Sequence, residues 1–422
     1  MLRELINEIN PIVVEKASKR FGVSRILKKY DGQPVYIKDV DGYEVIGNLC
    51  NREVLAKSLG IKKEDLMMHI LKAMDNEKGG KLVVDNSLKN KYVEDDLEKL
   101  KEYPIPTYYE KDGGAYITSG VVIVKDEDFG YNASIHRILV KEGHLVIRMV
   151  EQRHLHYLYT KNIEEKDEMD VAIVIGVHPS VLLASSTSAD ITFNELRFAS
   201  ALMGEPLKVM ECDNGLLVPE GEFIIEGKIT KEMEDEGPFV DITGTYDIVR
   251  KQPVIKITSL KRKEKPIFHA LLPGGREHKL LMGMPQEPRI FKGVRNVVPT
   301  VKNVALTEGG CCWLHAVVQI EKKTEGDGKN AILAALSSHP SLKHVVVVDE
   351  DIDIYDINDV EFAIATRVQG DEDIIIIRGA KGSSLDPSSN LEYRTTTKVG
   401  IDATISFKKD KNHFIRAKIP DE

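Results

Sequence analysis

The sequence predicts a protein of mixed α/β and β class, with an N-terminal α/β region, a β-rich and barrel-like central domain and a C-terminal α/β domain. Two observations support this prediction. Helical and strand patterns alternate at both ends of the chain, whereas strand patterns dominate its middle. The length of 422 residues also favours two or three domains over a single core. We expect domains at 1–104, 105–300 and 301–422, with Pro104-Ile-Pro106 at the first boundary.

The N-terminal region begins with an amphipathic helical pattern, which Pro11 interrupts early. Acidic residues within this pattern argue against a signal peptide, so we expect a cytoplasmic protein. The region ends in a charged run, which is typical of a solvated helix. The other predicted elements are a strand at 34–38, helices at 51–59 and 63–74, a strand at 81–85 and that last helix at 93–102.

The central domain is predicted to be a barrel-like set of strands interrupted by one helix. Its strand patterns are bounded by Gly, Pro or Asp. The helix follows Thr192-Phe-Asn-Glu195, covers Leu196–Met203 and ends at Gly204, a residue type that commonly terminates helices. The predicted strands lie at 115–124, 144–150, 171–177, 221–227 and 253–258.

The C-terminal domain alternates strands with helices, a pattern typical of a layered α/β structure. We expect strands at 316–320, 344–349 and 373–378, helices at 329–337 and 357–367, and a loop at 385–390.

Composition excludes several classes of protein. The net charge of −9 argues against a general surface for nucleic acid or anionic membranes, although a local basic site for a phosphorylated ligand remains possible. No apolar run approaches the roughly 20 residues that a membrane span needs. The four cysteines show no CxxC spacing and suit a reducing compartment.

Two polar segments are candidates for a metal site. Asn132 and Arg137 lie five positions apart, and Glu151-Gln-Arg-His154 follows an apolar strand. Asn132 and His154, with a carboxylate, would form a mixed nitrogen and oxygen site suited to Mn²⁺ or Mg²⁺, especially if a phosphate completed it. Taken alone, Asn132 is a weak metal ligand and Arg137 could equally form a surface ion pair.

Three carboxylates are further candidates. Glu195 suits a metal, but Thr192-x-x-Glu195 is also a capping-box pattern, in which Glu195 would bind only the amide of Thr192. Glu236 and Asp241 flank a Gly-Pro turn, and in one apolar pocket they would favour a proton donor near neutral pH. The alternative is an acidic loop, since acidic residues also precede Glu236.

These motifs resemble those of UbiD-type decarboxylases, a family of reversible (de)carboxylases that use prenylated FMN. The family pattern Asn-x-x-x-x-Arg is present as Asn132 and Arg137, and Glu-Gly-Pro-Phe-x-Asp as Glu236 and Asp241. The similarity covers nearly the whole chain and includes Tyr116-Ile-Thr-Ser-Gly120, His178-Pro179 and Ala184-Ser-Ser-Thr187. It implies an N-terminal α/β region, a central split β-barrel that binds the flavin, and a C-terminal α/β domain.

The resemblance also implies roles for individual residues. A Mn²⁺ that bridges to the flavin phosphate would be bound by Asn132, His154 and Glu195, which favours a ligand role for Glu195 over capping alone. A neighbouring K⁺ would be bound by Glu195 with atoms of Ala133, Ala184, Ser185 and Thr187. Besides the metal ligands, the flavin would contact Ile135, His136, Arg137, Arg148, Met149, Val150 and Arg153, with Lys398 as a candidate for its phosphate.

The implied catalytic residues are Arg137, Glu236 and Asp241. Arg137 would bind the carboxylate of an α,β-unsaturated acid with Glu236 as its partner, and Asp241 would protonate the carbon left after CO₂ loss. The modified flavin would act as an electron sink. Some relatives have Glu where this chain has the shorter Asp241. The resemblance further implies a flavin prenyltransferase as cofactor supplier and a homo-oligomer, either a dimer or a hexamer.

Two substrate classes are open, and we favour the first. The compact length and the composition rich in Lys, Glu and Ile are in keeping with an archaeal member of the family. For that branch the resemblance implies anhydromevalonate phosphate as substrate, which would give isopentenyl phosphate and CO₂ in the archaeal mevalonate pathway. Its phosphate would need cations beyond Arg137, for which Arg276, His278 and Lys279 are candidates. The second class is an aromatic acid such as a polyprenyl-hydroxybenzoate. A flavin-binding protein without turnover is a third hypothesis, against which the three catalytic residues argue.

Overall fold

The structure is a computed structural model that describes residues 2–151, 153–390, 392–417 and 419. Gln152, part of the polar segment at 151–154, lies outside the described residues. The chain forms two compact units, of which the first ends at Pro285 and the second begins at Gln286. The division into three domains stays a prediction.

The first unit opens with short helices and strands in the predicted alternation. The strand expected at 34–38 and the helix expected at 51–59 are both present. The latter begins after Asn51, whose side chain accepts the N–H of Val54 at 2.8 Å and caps the helix. The elements are α1 (Leu2–Ile9), β1 (Ile12–Lys16), α2 (Gly22–Lys29), β2 (Val35–Val40), β3 (Tyr43–Gly47), α3 (Arg52–Ser58), α4 (Leu66–Asp75), β4 (Leu82–Val84) and β5 (Tyr92–Asp95).

The prediction of a helix at 93–102 is wrong. This segment contains the end of β5 and a 3₁₀ helix at Leu97–Glu102. Asp95 pairs across the sheet with Leu260, and its Oδ2 accepts the Nε–H of Arg262 at 2.7 Å. We predicted a solvated helix from the charged run. The prediction failed because no local sequence signal marks a buried ion pair with a distant strand.

Long antiparallel strands dominate the remainder of the first unit. β14 and β17 each contain 14 residues and pair along most of their length. The elements are β6 (Ala115–Ile117), β7 (Val121–Asp126), β8 (Gly130–Ile135), β9 (Ile138–Val140), β10 (His144–Ile147), α5 (His154–Lys166), β11 (Glu168–Ile175), α6 (Pro179–Ser185), α7 (Glu195–Met203), β12 (Leu207–Glu211), β13 (Leu217–Pro219), β14 (Phe223–Glu236), β15 (Phe239–Val240), β16 (Tyr246–Asp247), β17 (Arg250–Lys263), β18 (Ile267–Ala270) and α8 (Arg276–Gly283).

One large sheet positions the candidate site. Its strands run in the order β6-β9-β10-β17-β14-β11-β7-β8, and β5 pairs with β17. Val122, Ile173, Ile225 and Ile255 are among its buried apolar side chains, as the strand patterns predict. β18 does not belong to this sheet but pairs with β3 in the smaller sheet β1-β2-β3-β18. The segment between β8 and β9 and the end of β14 therefore belong to one framework.

The prediction of a single central helix is wrong, since α5 and α6 are also present. α5 buries only Leu155, Leu158 and Asn162 among its described residues, so it shows no long apolar stripe. α6 is buried along its whole length and lacks the amphipathic pattern of a surface helix. The strand predicted at 115–124 is broken around Gly120, where a Cβ would lie 2.8 Å from Cγ2 of Ile173.

The second unit is a layered α/β structure, as predicted. Its sheet has the order β19-β20-β21-β23-β22, and β20, β21 and β23 are parallel. The strands and helices expected between 316 and 378 are present, whereas β19 and β23 were not predicted. The elements are α9 (Gln286–Arg295), β19 (Val301–Leu306), β20 (His315–Ile320), α10 (Asp327–Ser338), β21 (His344–Val348), α11 (Ile357–Arg367), β22 (Ile374–Lys381) and β23 (Thr395–Ala403).

None of the helices in the described part of the chain combines the length and apolar character required to cross a bilayer.

Candidate active site

Arg137 and Glu236 form a buried ion pair. Arg137 lies between β8 and β9, and Glu236 is the last residue of β14. The Nε and Nη2 groups of Arg137 donate to Oε1 and Oε2 of Glu236, each at 2.9 Å. The side chains are 10% and 0% exposed, so solvent hardly screens the pair. Burial acts to lower the pKa of Arg137, but the hydrogen bonds and charge of Glu236 outweigh it and raise the pKa.

Aromatic residues fix the orientation of this pair. The Tyr116 hydroxyl donates to Oε1 of Glu236 at 3.1 Å and accepts the N–H of Gly237 at 3.0 Å. The ring of Phe239 lies 4.8 Å from the Arg137 guanidinium carbon and also contacts Tyr116, with ring centroids 4.6 Å apart. Both oxygens of Glu236 are therefore engaged, and the guanidinium rests on an aromatic face.

Asp247 is a second carboxylate partner of Arg137 that sequence analysis missed. Its Oδ2 accepts hydrogen bonds from Nη2 of Arg137 at 3.0 Å and from Nη1 of Arg250 at 2.5 Å. It lies in β16, six residues beyond Asp241, outside both motifs. Within the described residues, Nη1 of Arg137 has no hydrogen-bond partner, so this nitrogen is available to an incoming carboxylate.

Asp241 differs from Glu236 in its surroundings. It follows β15 in a short hairpin with β16, and its main chain forms a turn with Gly244 and Thr245. Its Oδ1 accepts the N–H of Ile242 at 2.7 Å, and the side chain is partly exposed. No hydrogen bond among the described residues involves its Oδ2. The structure therefore places a locked carboxylate and a more accessible one at opposite ends of the same motif.

Asn132 and Glu195 lie together, as predicted for the metal site. Oε1 of Glu195 accepts the side-chain N–H of Asn132 at 3.2 Å, and Oε2 accepts the backbone N–H of Ala133 at 3.0 Å. The capping alternative for Glu195 is wrong, because α7 is capped by the side chain of Asn194, which accepts the N–H of Arg197 at 3.0 Å. Glu195 instead points its carboxylate at β8.

A cation fits this site. Glu195 is 3% exposed, and burial raises its pKa to about 8 because no described cationic side chain bonds to it. Ser185 is also buried, and its Oγ has no hydrogen-bond partner among the described residues. Ala184 and Ser185 end α6, which packs against both α7 and β8. The Thr187 hydroxyl donates to the carbonyl of Leu183 at 3.1 Å.

His154, the third predicted Mn²⁺ ligand, is the first residue of α5. Burial lowers its pKa, which favours the neutral ring that binds metals. No hydrogen bond in the described ranges joins His154 to Asn132 or Glu195. The structure therefore brings two of the three candidate ligands, Asn132 and Glu195, into direct contact.

The predicted flavin contacts lie around the same strands. His136 donates Nδ1–H to the carbonyl of Arg148 at 2.9 Å, so its Nε2 accepts from the Ser134 hydroxyl at 3.0 Å. Burial lowers the pKa of His136 to about 4, so the ring is neutral. The N–H of Met149 donates to Gln252 at 2.7 Å.

The other flavin candidates are less engaged. Ile135 is partly exposed at the end of β8, Val150 is 48% exposed, and Arg153 donates to the Ser188 hydroxyl at 3.3 Å. Lys398 lies in β23 of the second unit, where burial lowers its pKa and its Nζ donates to the carbonyl of Pro340 at 2.6 Å.

Comparison with known proteins gives consistent matches. The 3-octaprenyl-4-hydroxybenzoate carboxy-lyase (UbiD) Rift-related domain matches residues 82–276, and the C-terminal domain of that enzyme matches 279–403. The chain is 73% identical over 421 residues to anhydromevalonate phosphate decarboxylase of Methanocaldococcus jannaschii, with 100% of both chains covered.

Solved structures agree. The UbiD-class enzyme HmfF from Pelotomaculum thermopropionicum, in complex with FMN, gives a TM-score of 0.94 at 38% identity and covers 99% of this chain and 97% of that chain. An evolved dimeric form of HmfF in complex with prFMN gives 0.89 at 35% identity, again over 99% and 97% of the two chains. The mixed α/β fold with a curled, barrel-like central sheet is confirmed.

Proposed function

The chain belongs to the UbiD family of decarboxylases, and we propose that it converts anhydromevalonate phosphate to isopentenyl phosphate and CO₂ with prenylated FMN. The observation that carries the proposal is the buried Arg137–Glu236 pair, which leaves Nη1 of Arg137 without a partner among the described residues. The 73% identity to an anhydromevalonate phosphate decarboxylase supports this choice of substrate.

Arg137 binds the substrate carboxylate through Nη1 in this proposal. Glu236 holds the guanidinium by two parallel hydrogen bonds, so the plane of Arg137 is set before substrate arrives. Asp247 and the ring of Phe239 restrict it further. Because the guanidinium of Arg137 is already oriented, little free energy is spent on ordering it when the substrate carboxylate binds.

Asp241 supplies the proton. After CO₂ leaves, the substrate carbon that carried it needs a proton, and Asp241 is the more exposed carboxyl group of the motif. Glu236 is unsuited to this role because the cationic guanidinium of Arg137 pairs with both of its oxygens and stabilises the ionised carboxylate. We therefore assign orientation to Glu236 and proton transfer to Asp241.

The cofactor and its ions would be held by residues of the first unit. When bound, prenylated FMN supplies an electron sink for the decarboxylation. Asn132, His154 and Glu195 would hold Mn²⁺, and Glu195 with Ala133, Ala184, Ser185 and Thr187 would hold K⁺. The buried carboxylate of Glu195 and the unpaired hydroxyl of Ser185 support a cation here. His136 and Arg148 would contact the flavin as neutral and charged groups, respectively.

Three further proposals follow from the family. A flavin prenyltransferase would supply the cofactor, and the enzyme would work in the cytoplasm. It would act as a homo-oligomer, and the dimeric form of HmfF supports a dimer as one such assembly. Light scattering on the purified protein measures the oligomeric state.

A substrate comparison tests the proposed function. The wild-type protein loaded with prenylated FMN, Mn²⁺ and K⁺ is given anhydromevalonate phosphate, the same acid without phosphate, or a polyprenyl-hydroxybenzoate-type acid. We expect CO₂ release from the first acid, and a lower kcat/KM for the acid without phosphate because it loses the charge-assisted hydrogen bonds that a phosphate group can make. Turnover of the aromatic acid alone would show that the proposed substrate is wrong.

A further inference from the structure

The position and hydrogen bonding of His278 indicate a role other than phosphate binding. It lies in the first turn of α8 and is partly exposed. Its Nδ1 accepts the backbone N–H of Gly274 at 3.0 Å. Since a backbone amide can only donate, Nδ1 is unprotonated, and a neutral ring must carry its proton on Nε2.

The hydrogen bond from Gly274 requires a neutral ring, because a doubly protonated imidazole cannot accept at Nδ1. Burial lowers the pKa of His278, the charge of Asp241 opposes this effect, and the charges of Arg137 and Lys279 reinforce it. A neutral imidazole is a weak counter-ion for a phosphate, but it is a directional hydrogen-bond donor.

Buried contacts hold the first turn of α8 in place. The neighbouring Glu277 is 2% exposed, and its Oε1 accepts the N–H of Cys50 at 2.7 Å and contacts Nε2 of His269 at 2.9 Å. The N–H of Arg276 donates to Asp31 at 2.8 Å. His278 is therefore carried by a helix start that is anchored on two sides.

The turn that contacts His278 packs directly on the turn that carries Asp241. Gly274 has a φ of 68°, and a Cβ at this position would lie 3.0 Å from the carbonyl oxygen of Asp241. No other residue type fits this approach without strain. Within the described residues, Nε2 of His278 has no acceptor and Oδ2 of Asp241 has no donor.

We propose that His278 is a positioning residue for proton delivery, whose Nε2–H holds Oδ2 of Asp241 through one water while Oδ1 stays on the Ile242 amide. This inference rests on the proposed function. His278 keeps its own proton throughout. Asp241 gives its proton to the substrate carbon after CO₂ leaves, and solvent then restores the proton to Asp241.

Two substitutions separate this role from a purely structural one. In His278→Asn the shorter side chain still reaches the Gly274 N–H but has no donor at the Nε2 position, whereas His278→Gln places an N–H donor there. We expect Gln to keep kcat within about 3-fold. We expect Asn to lower kcat by about 10- to 100-fold, the usual effect of one hydrogen bond to a charged group, with little change in KM.

The solvent isotope effect adds a readout that a folding defect would not move. Because proton transfer becomes slower in His278→Asn, we expect kcat to fall more steeply in D₂O than it does for the wild type. The exposed His413→Asn is the control and should match the wild type.

Several results would overturn the inference. Activity retained by Asn and lost by Gln would assign His278 to the Gly274 turn alone. A raised KM with unchanged kcat would make it a substrate ligand, and unchanged kinetics in all variants would remove it from the reaction. Inactive wild-type protein would instead contradict the proposed function itself, so the two failures are distinguishable.

Discussion

Replacing Glu236 with Gln is expected to lower kcat/KM for decarboxylation by about 100- to 1000-fold. Loss of one preorganised hydrogen-bonding group at an active site typically costs about 2.7–4 kcal/mol of transition-state stabilisation, which corresponds to this range. Gln keeps the shape of the side chain but offers one acceptor where Glu236 offers two. Its amide would face an N–H of Arg137, donor against donor, and the guanidinium would lose the orientation that two bonds of 2.9 Å now give it.

The matched control for this prediction is Asp235→Asn. Asp235 precedes Glu236 in β14, its side chain is 61% exposed, and among the described residues its ion-pair partner is Lys251. We expect its CO₂ release to equal that of the wild type, measured in the same assay. If Glu236→Gln released CO₂ at the wild-type rate while remaining folded, Arg137 would not depend on Glu236 and the assigned roles would be wrong.

The second large effect is expected for Glu195→Gln, which should lose Mn²⁺ and, with it, the flavin. Loss of a direct ligand should weaken Mn²⁺ binding by more than the about 10- to 100-fold that outer-shell partners typically cost. The neutral side chain keeps an acceptor for the Ala133 N–H, so the fold should persist. Elemental analysis and flavin absorbance after gel filtration measure both losses, with the exposed Glu205→Gln as control.

The stability of the metal-free protein should depend on pH through the ionisation of Glu195. The pKa of this carboxyl is raised to about 8 by burial, whereas an unfolded glutamate has a pKa of about 4.3. The folded state therefore holds the proton more tightly, and the resulting stability is present at low pH and lost as pH rises through about 8. Between pH 6 and 9, Tm should fall more for the wild type than for Glu195→Gln. If Tm fell equally with pH in the two proteins, the raised pKa of a buried Glu195 without a cationic partner would be contradicted.

The two motifs at the centre of the site could be predicted from the sequence, because their residue types and spacing identify them. Asn132, Arg137, Glu236 and Asp241 stand at the spacing of a known family, and the structure places Arg137 on Glu236. For Glu195 the local pattern favoured capping, whereas the family resemblance favoured a ligand role. In the structure Asn194 caps α7, and Glu195 contacts β8. Local patterns fail where a distant strand supplies the partner.

Asp247 and His278 show why the remainder of the site was harder to predict. Asp247 reaches Arg137 only because β15 and β16 fold back on each other, and no motif marks the hairpin. His278 appeared in sequence as a possible cation, but its tautomer depends on one backbone N–H in a turn with a positive φ. Likewise, α5 was missed because its few buried residues leave no apolar stripe. Each of these features arises from tertiary contacts.

Cofactor dependence is the most direct test of the central claim. The measurement is CO₂ release from anhydromevalonate phosphate by wild-type protein with Mn²⁺ and K⁺, loaded with either prenylated FMN or plain FMN. We predict release of CO₂ with formation of isopentenyl phosphate for the prenylated cofactor, and none for plain FMN. Equal release with both cofactors, or release with neither, would contradict the assignment of this chain as a prenylated-FMN-dependent decarboxylase of that acid.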